Sequence, residues 1–122
     1  MSFNFWIEAG SVLMFLAVGI GAFGAHGLKN ILSPEMKEVY ETAVRYQVYH
    51  SLALFVVAWM SSKMPSRAVS ISGWCFLIGI LLFSGSLYAL SLSGIRRLGI
   101  ITPLGGLAFL VGWVSLFIAV YK

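Results

Sequence analysis

The sequence predicts an all-α, polytopic membrane protein: an antiparallel bundle of four transmembrane helices, with the second helix extended by an amphipathic N-terminal portion. Three observations carry that prediction. Hydrophobic residues make up 60% of the 122 positions and charged residues 10%, against roughly 45–50% and about 25% in an ordinary soluble domain. Mean hydropathy is +0.95. Four apolar stretches, each about the 17 to 25 residues that cross a bilayer, follow one another with short connections after the second and third. At about 20 residues per span no sizeable extramembrane domain fits, so one integral membrane domain, residues 1–122, is expected. Its spans are placed at about 5–25, 44–61, 68–92 and 102–121.

The first stretch, Phe5 to Ala25, is interrupted only by Glu8. No basic residue precedes it, so an uncleaved span is expected rather than a secretory signal. Ala17, Gly21 and Ala25 recur at four-residue steps, flanked by Gly19 and Gly24. Small residues let helix backbones approach closely in lipid, so this stripe is read as a packing face.

His26 to Val44 is the polar part of the chain. Ser33 before Pro34 reads as an N-cap followed by a first-turn proline, and Glu35 and Glu38 stand where a helix N-terminus favours carboxylates. No breaker follows until Pro65, so one helix is expected from Pro34 to about Ser62, with Tyr46 to Met60 inside the membrane. Glu41 and Arg45 are spaced for an i, i+4 ion pair. Beyond the loop Ser61 to Arg67 comes the third span, and a turn with Ser93, Gly94, Arg96 and Arg97 ends it. Thr102 reads as the N-cap and Pro103 as the first residue of the fourth helix. That helix carries Gly105, Ala108 and Gly112 as a second packing stripe.

Eight Lys and Arg against four acidic residues give a net charge of +4, but the cations are dispersed, which argues against nucleic acid as a partner. Lys29, Lys37, Arg45, Arg96 and Arg97 belong to the first and third connections. Lys63, Arg67 and Lys122 lie on the opposite side with the N-terminus. The positive-inside bias then puts both termini on the outer face. Cys75, the single cysteine, sits within an apolar run and reads as a small core residue.

Few residues offer chemistry. Glu8 is a candidate transport carboxylate, since an intramembrane acid is a functional position by default; its place near the helix start also suits the helix dipole. His26 and His50 fall on the first-loop side, where two neutral imidazoles would suit a haem or metal carrier. Against that, no carboxylate stands at a ligand spacing, and Tyr46 and Gln47 lie one turn before His50 as hydrogen-bond partners. Ser51, Ser84 and Ser86 have no acid and base partners at a recognisable spacing. No enzymatic activity, cofactor or metal is expected.

Four strings follow one another in order along the chain: Gly21-Ala22-Phe23-Gly24-Ala25-His26-Gly27-Leu28; Ala43-Val44-Arg45-Tyr46-Gln47-Val48-Tyr49-His50-Ser51-Leu52-Ala53-Leu54; Gly85-Ser86-Leu87-Tyr88; and Thr102-Pro103-Leu104-Gly105-Gly106 with Gly112-Trp113. In these the chain resembles the YgdD/YwdK-like family of small bacterial inner-membrane proteins. The resemblance implies four transmembrane helices and the inner membrane, and it implies no activity. His26, Arg45, Tyr46, Gln47 and His50 all fall inside these strings, and they are expected to form one polar site between the first two helices. Such a site would hold a lipid headgroup, a quinone or a partner subunit. The expected role is therefore non-enzymatic: structural, accessory-subunit or lipid- and partner-binding. Membrane lipids, a membrane-protein partner or a second copy are the expected partners. A small four-helix transporter or channel using Glu8 is the alternative, and a haem or metal carrier using His26 and His50 the third.

Overall fold

A computed structural model describes residues 3–121, which fold as helices and short connections. Five α-helices appear: α1 Phe3–His26, α2 Pro34–Lys63, α3 Arg67–Gly79, α4 Gly85–Ser93 and α5 Thr102–Val120. A π-helical turn, Ile80–Ser84, joins α3 to α4 without a break, and a 3₁₀ turn, Arg96–Ile100, leads into α5. The result is four long rods. Three stretches, Phe3–His26, Arg67–Ser93 and Arg96–Val120, are long and apolar enough to cross a membrane. α2 is more polar, because its first turns carry Glu35, Lys37, Glu38, Glu41 and Arg45.

The helix starts follow local chemistry. Ser33 Oγ accepts the Met36 N–H at 3.2 Å ahead of Pro34, as the sequence predicts, and Ser66 Oγ does the same for Val69 at 3.2 Å. α5 begins differently. Thr102 is inside the helix rather than its cap, and its hydroxyl shares a 2.6 Å hydrogen bond with Ser86. The preceding 3₁₀ turn removes the need for a side-chain cap, since the Ile101 carbonyl already accepts from Leu104 at 3.0 Å. Gly94, at φ 76°, closes α4 in the left-handed conformation.

α2 is the central rod. α1 lies along it, α3 and α4 pack on another of its faces, and α5 lies mainly along α3. Trp6, Leu54, Val57, Val69 and Phe76 form the fully buried centre. The α1 packing stripe corrects the four-residue reading. Ala17 is buried and Gly21 faces Val44, but Ala25 is exposed. The face against α2 is instead Gly10, Ala17, Gly21 and Gly24. A Cβ on Gly24 would strike the Tyr40 ring, and one on Gly10 would lie 3.1 Å from the Ser51 carbonyl oxygen. Each four-residue step drifts about 40° around a helix of 3.6 residues per turn, so Ala25 has rotated about 80° from Ala17. Alternating steps of three and four stay on the contact line.

On α5, Gly105, Phe109, Gly112 and Leu116 are buried with the same alternation, and Ala108 is half-buried beside them. Gly105 sits against the backbone of Phe83, and Gly112 sits under the Phe76 ring. In lipid, such close approach supplies the dispersion contacts that hold helices together.

Candidate functional site

The polar residues of α2 are distributed in three directions. Gln47, 3% exposed, faces the middle of the bundle. Its Nε2 donates to the Leu13 carbonyl of α1 at 2.7 Å, and its Oε1 accepts from the Tyr88 hydroxyl of α4 at 2.6 Å. His50, 4% exposed, faces α5. Its Nε2 accepts the Trp113 indole N–H at 3.1 Å, which leaves Nδ1 to carry the proton and donate to the Tyr46 carbonyl at 2.8 Å. Phe109 stacks on the imidazole at 3.6 Å and 6°. Further along, Tyr40 donates to the Ile20 carbonyl at 2.6 Å and Ser84 to the Ala43 carbonyl at 2.7 Å. Ser51 Oγ is likewise bound to the Gln47 carbonyl. Apart from the Ser51 bond and the His50–Tyr46 bond, which lie within α2, these contacts fasten helices to one another.

The expected single polar site is therefore divided. His26 and Arg45 line a cleft of about 670 Å³ between α1 and α2 at the first-connection end, together with Lys29, Lys37, Tyr40, Glu41 and a floor of Gly21, Gly24, Ala25, Leu32 and Val44. Tyr46 and His50 line a separate aromatic groove of about 770 Å³ between α2 and α5. Gln47 belongs to neither. The split follows from the helix period: positions 45, 46 and 47 advance by about 100° each and cannot share one face. His26 and His50 line different cavities, and both His50 nitrogens are engaged. Among the described residues no three His, Cys, Asp or Glu side chains converge.

Glu8 is exposed on α1. It lies about 180° around the helix from Ala17, on the side turned away from α2. Arg45 does not pair with Glu41. It reaches Glu38 at 3.4 Å and the Thr42 hydroxyl at 3.1 Å. Arg96 forks onto Glu35 with bonds of 3.2 and 3.0 Å, which holds the Glu35 carboxyl below its ordinary range and the guanidinium above its own. This exposed pair joins the start of α2 to the third connection at one end of the bundle.

Lys29 and Lys37 were not singled out by sequence reasoning as site residues. They flank the α1–α2 connection, and their closeness arises only when the chain reverses there. Tyr88 and Trp113 stood in the four family-like strings, but their partners lie 41 and 63 residues away, and no local spacing points to them.

Residues 20–106 match the model of a family described as "Protein of unknown function (DUF423)". The chain is 47% identical over 118 residues to UPF0382 membrane protein YwdK of Bacillus subtilis (strain 168), covering 96% of each chain. It is 46% identical over 117 residues to UPF0382 membrane protein SH2409 of Staphylococcus haemolyticus (strain JCSC1435), covering 96% of this chain and 95% of that one. No solved structure matches the chain.

Proposed function

The chain belongs to the DUF423 family of unknown function, whose relatives bear the name UPF0382 membrane protein, and from that premise we propose a non-enzymatic, four-span inner-membrane protein that holds a lipid between α1 and α2. α2 serves as the fourth span from about Val44 to Ser61. Its lower hydropathy fits a helix covered by its neighbours, because Gln47, His50 and Ser51 are buried and bonded within the bundle rather than turned to lipid. The positive-inside bias places the first and third connections in the cytoplasm and the termini outside.

One observation carries the lipid reading: the α1–α2 cleft combines an apolar floor with several cationic side chains at its rim. An amphipathic molecule at the membrane surface meets both chemistries there. Purification in mild detergent followed by lipid extraction tests it. About one retained phospholipid per chain is expected, with a lower melting temperature after exhaustive delipidation. A protein that retains no lipid and is indifferent to delipidation would refute the reading.

A further inference from the structure

We propose that the lipid held between α1 and α2 is an anionic phospholipid, its phosphate seated among Lys29, Lys37 and Arg45 and one acyl chain laid down the seam past Gly19 and Phe55. The proposal rests on the lipid-holding reading and names the chemistry of that site.

Charge sets the headgroup. Lys29, Lys37, Arg45 and His26 surround the cleft, and Glu41 is the acid among its lining residues. Arg96, a further cation at this end, is already matched by a bidentate pairing with Glu35. Lys29 and Lys37 pair with no carboxylate among the described residues, and Arg45 shares only a 3.4 Å contact with Glu38. The cleft therefore keeps a surplus of positive charge at the depth where lipid phosphates lie, a setting in which each basic side chain favours an anionic lipid.

Helix geometry sets the chain. A second hollow of about 520 Å³ is lined by Met14, Phe15, Val18, Gly19 and Phe55. Along α1, Met14, Val18, Gly21 and Ala25 follow one another by steps of four, three and four, so both hollows open on one strip of that helix. Along α2, Lys37, Val44 and Phe55 lie within about 20° of one another, so both open on one strip there too. The two hollows are the ends of one groove on a single side of the seam. From Gly24 to Met14 it runs about 15 Å at about 1.5 Å per residue, one leaflet's half of the roughly 30 Å hydrocarbon core. Gly19 leaves its floor open, since a Cβ there meets nothing within 4 Å.

The test uses the full-length protein in non-ionic detergent, titrated with dioleoyl phosphatidylglycerol, dioleoyl phosphatidylcholine or inorganic phosphate and read by native mass spectrometry. Phosphatidylglycerol is expected to bind at least about tenfold more tightly than phosphatidylcholine. Lys29→Gln with Lys37→Gln should bring the two lipids to parity, whereas Lys63→Gln with Arg67→Gln at the opposite end should leave the preference intact. Gly19→Phe should weaken both lipids while leaving the melting temperature of the delipidated protein unchanged. Parity in the wild type, or a preference that survives the Lys29/Lys37 double variant, overturns the headgroup assignment while the broader lipid reading stands. Failure of both lipids to bind overturns both. Inorganic phosphate binding as tightly as phosphatidylglycerol, with Gly19→Phe inert, assigns the cleft to free phosphate and overturns the acyl-chain half.

Discussion

The Tyr88 hydroxyl donates to Gln47 Oε1 at 2.6 Å while the same amide donates through Nε2 to the Leu13 carbonyl at 2.7 Å, so one side chain ties α1, α2 and α4 together. Its two partners also fix the amide orientation, because a carbonyl can only accept and a phenol at that distance supplies the proton. Gln47→Leu keeps the volume but strands the Tyr88 hydroxyl. A loss of about 1–3 kcal/mol is expected in detergent unfolding. Adding Tyr88→Phe should recover part of it, since two apolar partners leave no orphaned hydroxyl. Strictly additive losses in the double variant would refute the bridge.

How much of this was legible beforehand varies with the range of the interaction. The start of α2 was readable because Ser33, Pro34 and Glu35 act within one turn, and Ser33 does accept from Met36. The helix extents were readable because hydropathy is a local sum. The π turn Ile80–Ser84 carried no signal of its own: Gly85 N–H reaches back to the Ile80 carbonyl in a run whose side chains suit an ordinary helix. Grouping His26, Arg45, Tyr46, Gln47 and His50 failed for a geometric reason. Neighbours in sequence on a helix point apart, and only the packing of α1, α4 and α5 around α2 decides which direction each one serves.

His50 depends on α5 for both its stacking and its ring nitrogen. Trp113→Phe removes the indole donor and leaves the Nε2 lone pair unmatched, at an expected cost of about 1 kcal/mol. His50→Ala removes a buried ring pressed against Phe109 at 3.6 Å and opens a void, so about 2–4 kcal/mol is expected. Thermal unfolding of the two variants in one detergent checks the order. An equal or inverted ranking would mean that the imidazole is not a packing element of the α2–α5 contact.

Two glycines separated by one connection should respond in opposite senses to the same substitution. A methyl on Gly105 would run into the backbone of Phe83, with the Cα at 2.8 Å, and backbone atoms cannot turn aside as a side-chain tip can. Gly105→Ala should therefore push α5 from the π turn and cost about 1–3 kcal/mol or more. At Gly85, in right-handed helical conformation, a Cβ meets nothing within 4 Å. Gly85→Ala should raise stability by about 0.4–1 kcal/mol through the unfolded chain. Unfolding midpoints that shift in the same direction for both would contradict the close α5 approach.

The Glu35–Arg96 fork supplies a pH signature with a defined sign. The guanidinium beside Glu35 lowers its carboxyl from the ordinary 4.5, so the folded chain binds that proton less readily than the unfolded one. Linkage then makes the pair's stabilisation complete above about pH 4.5 and lost as pH falls through the depressed folded value. Both side chains are well exposed, so the contribution is small and salt-screened. Comparing the wild type with Glu35→Gln across pH isolates it, because a protonated Glu35 and a glutamine present the same neutral group to Arg96. The melting temperatures should differ at neutral pH and low salt and converge once the pH falls below the depressed Glu35 value. A gap that persists in acid would show that Glu35 acts through something other than its charge on Arg96, and the first and third connections would then be held at one end of the bundle by other contacts.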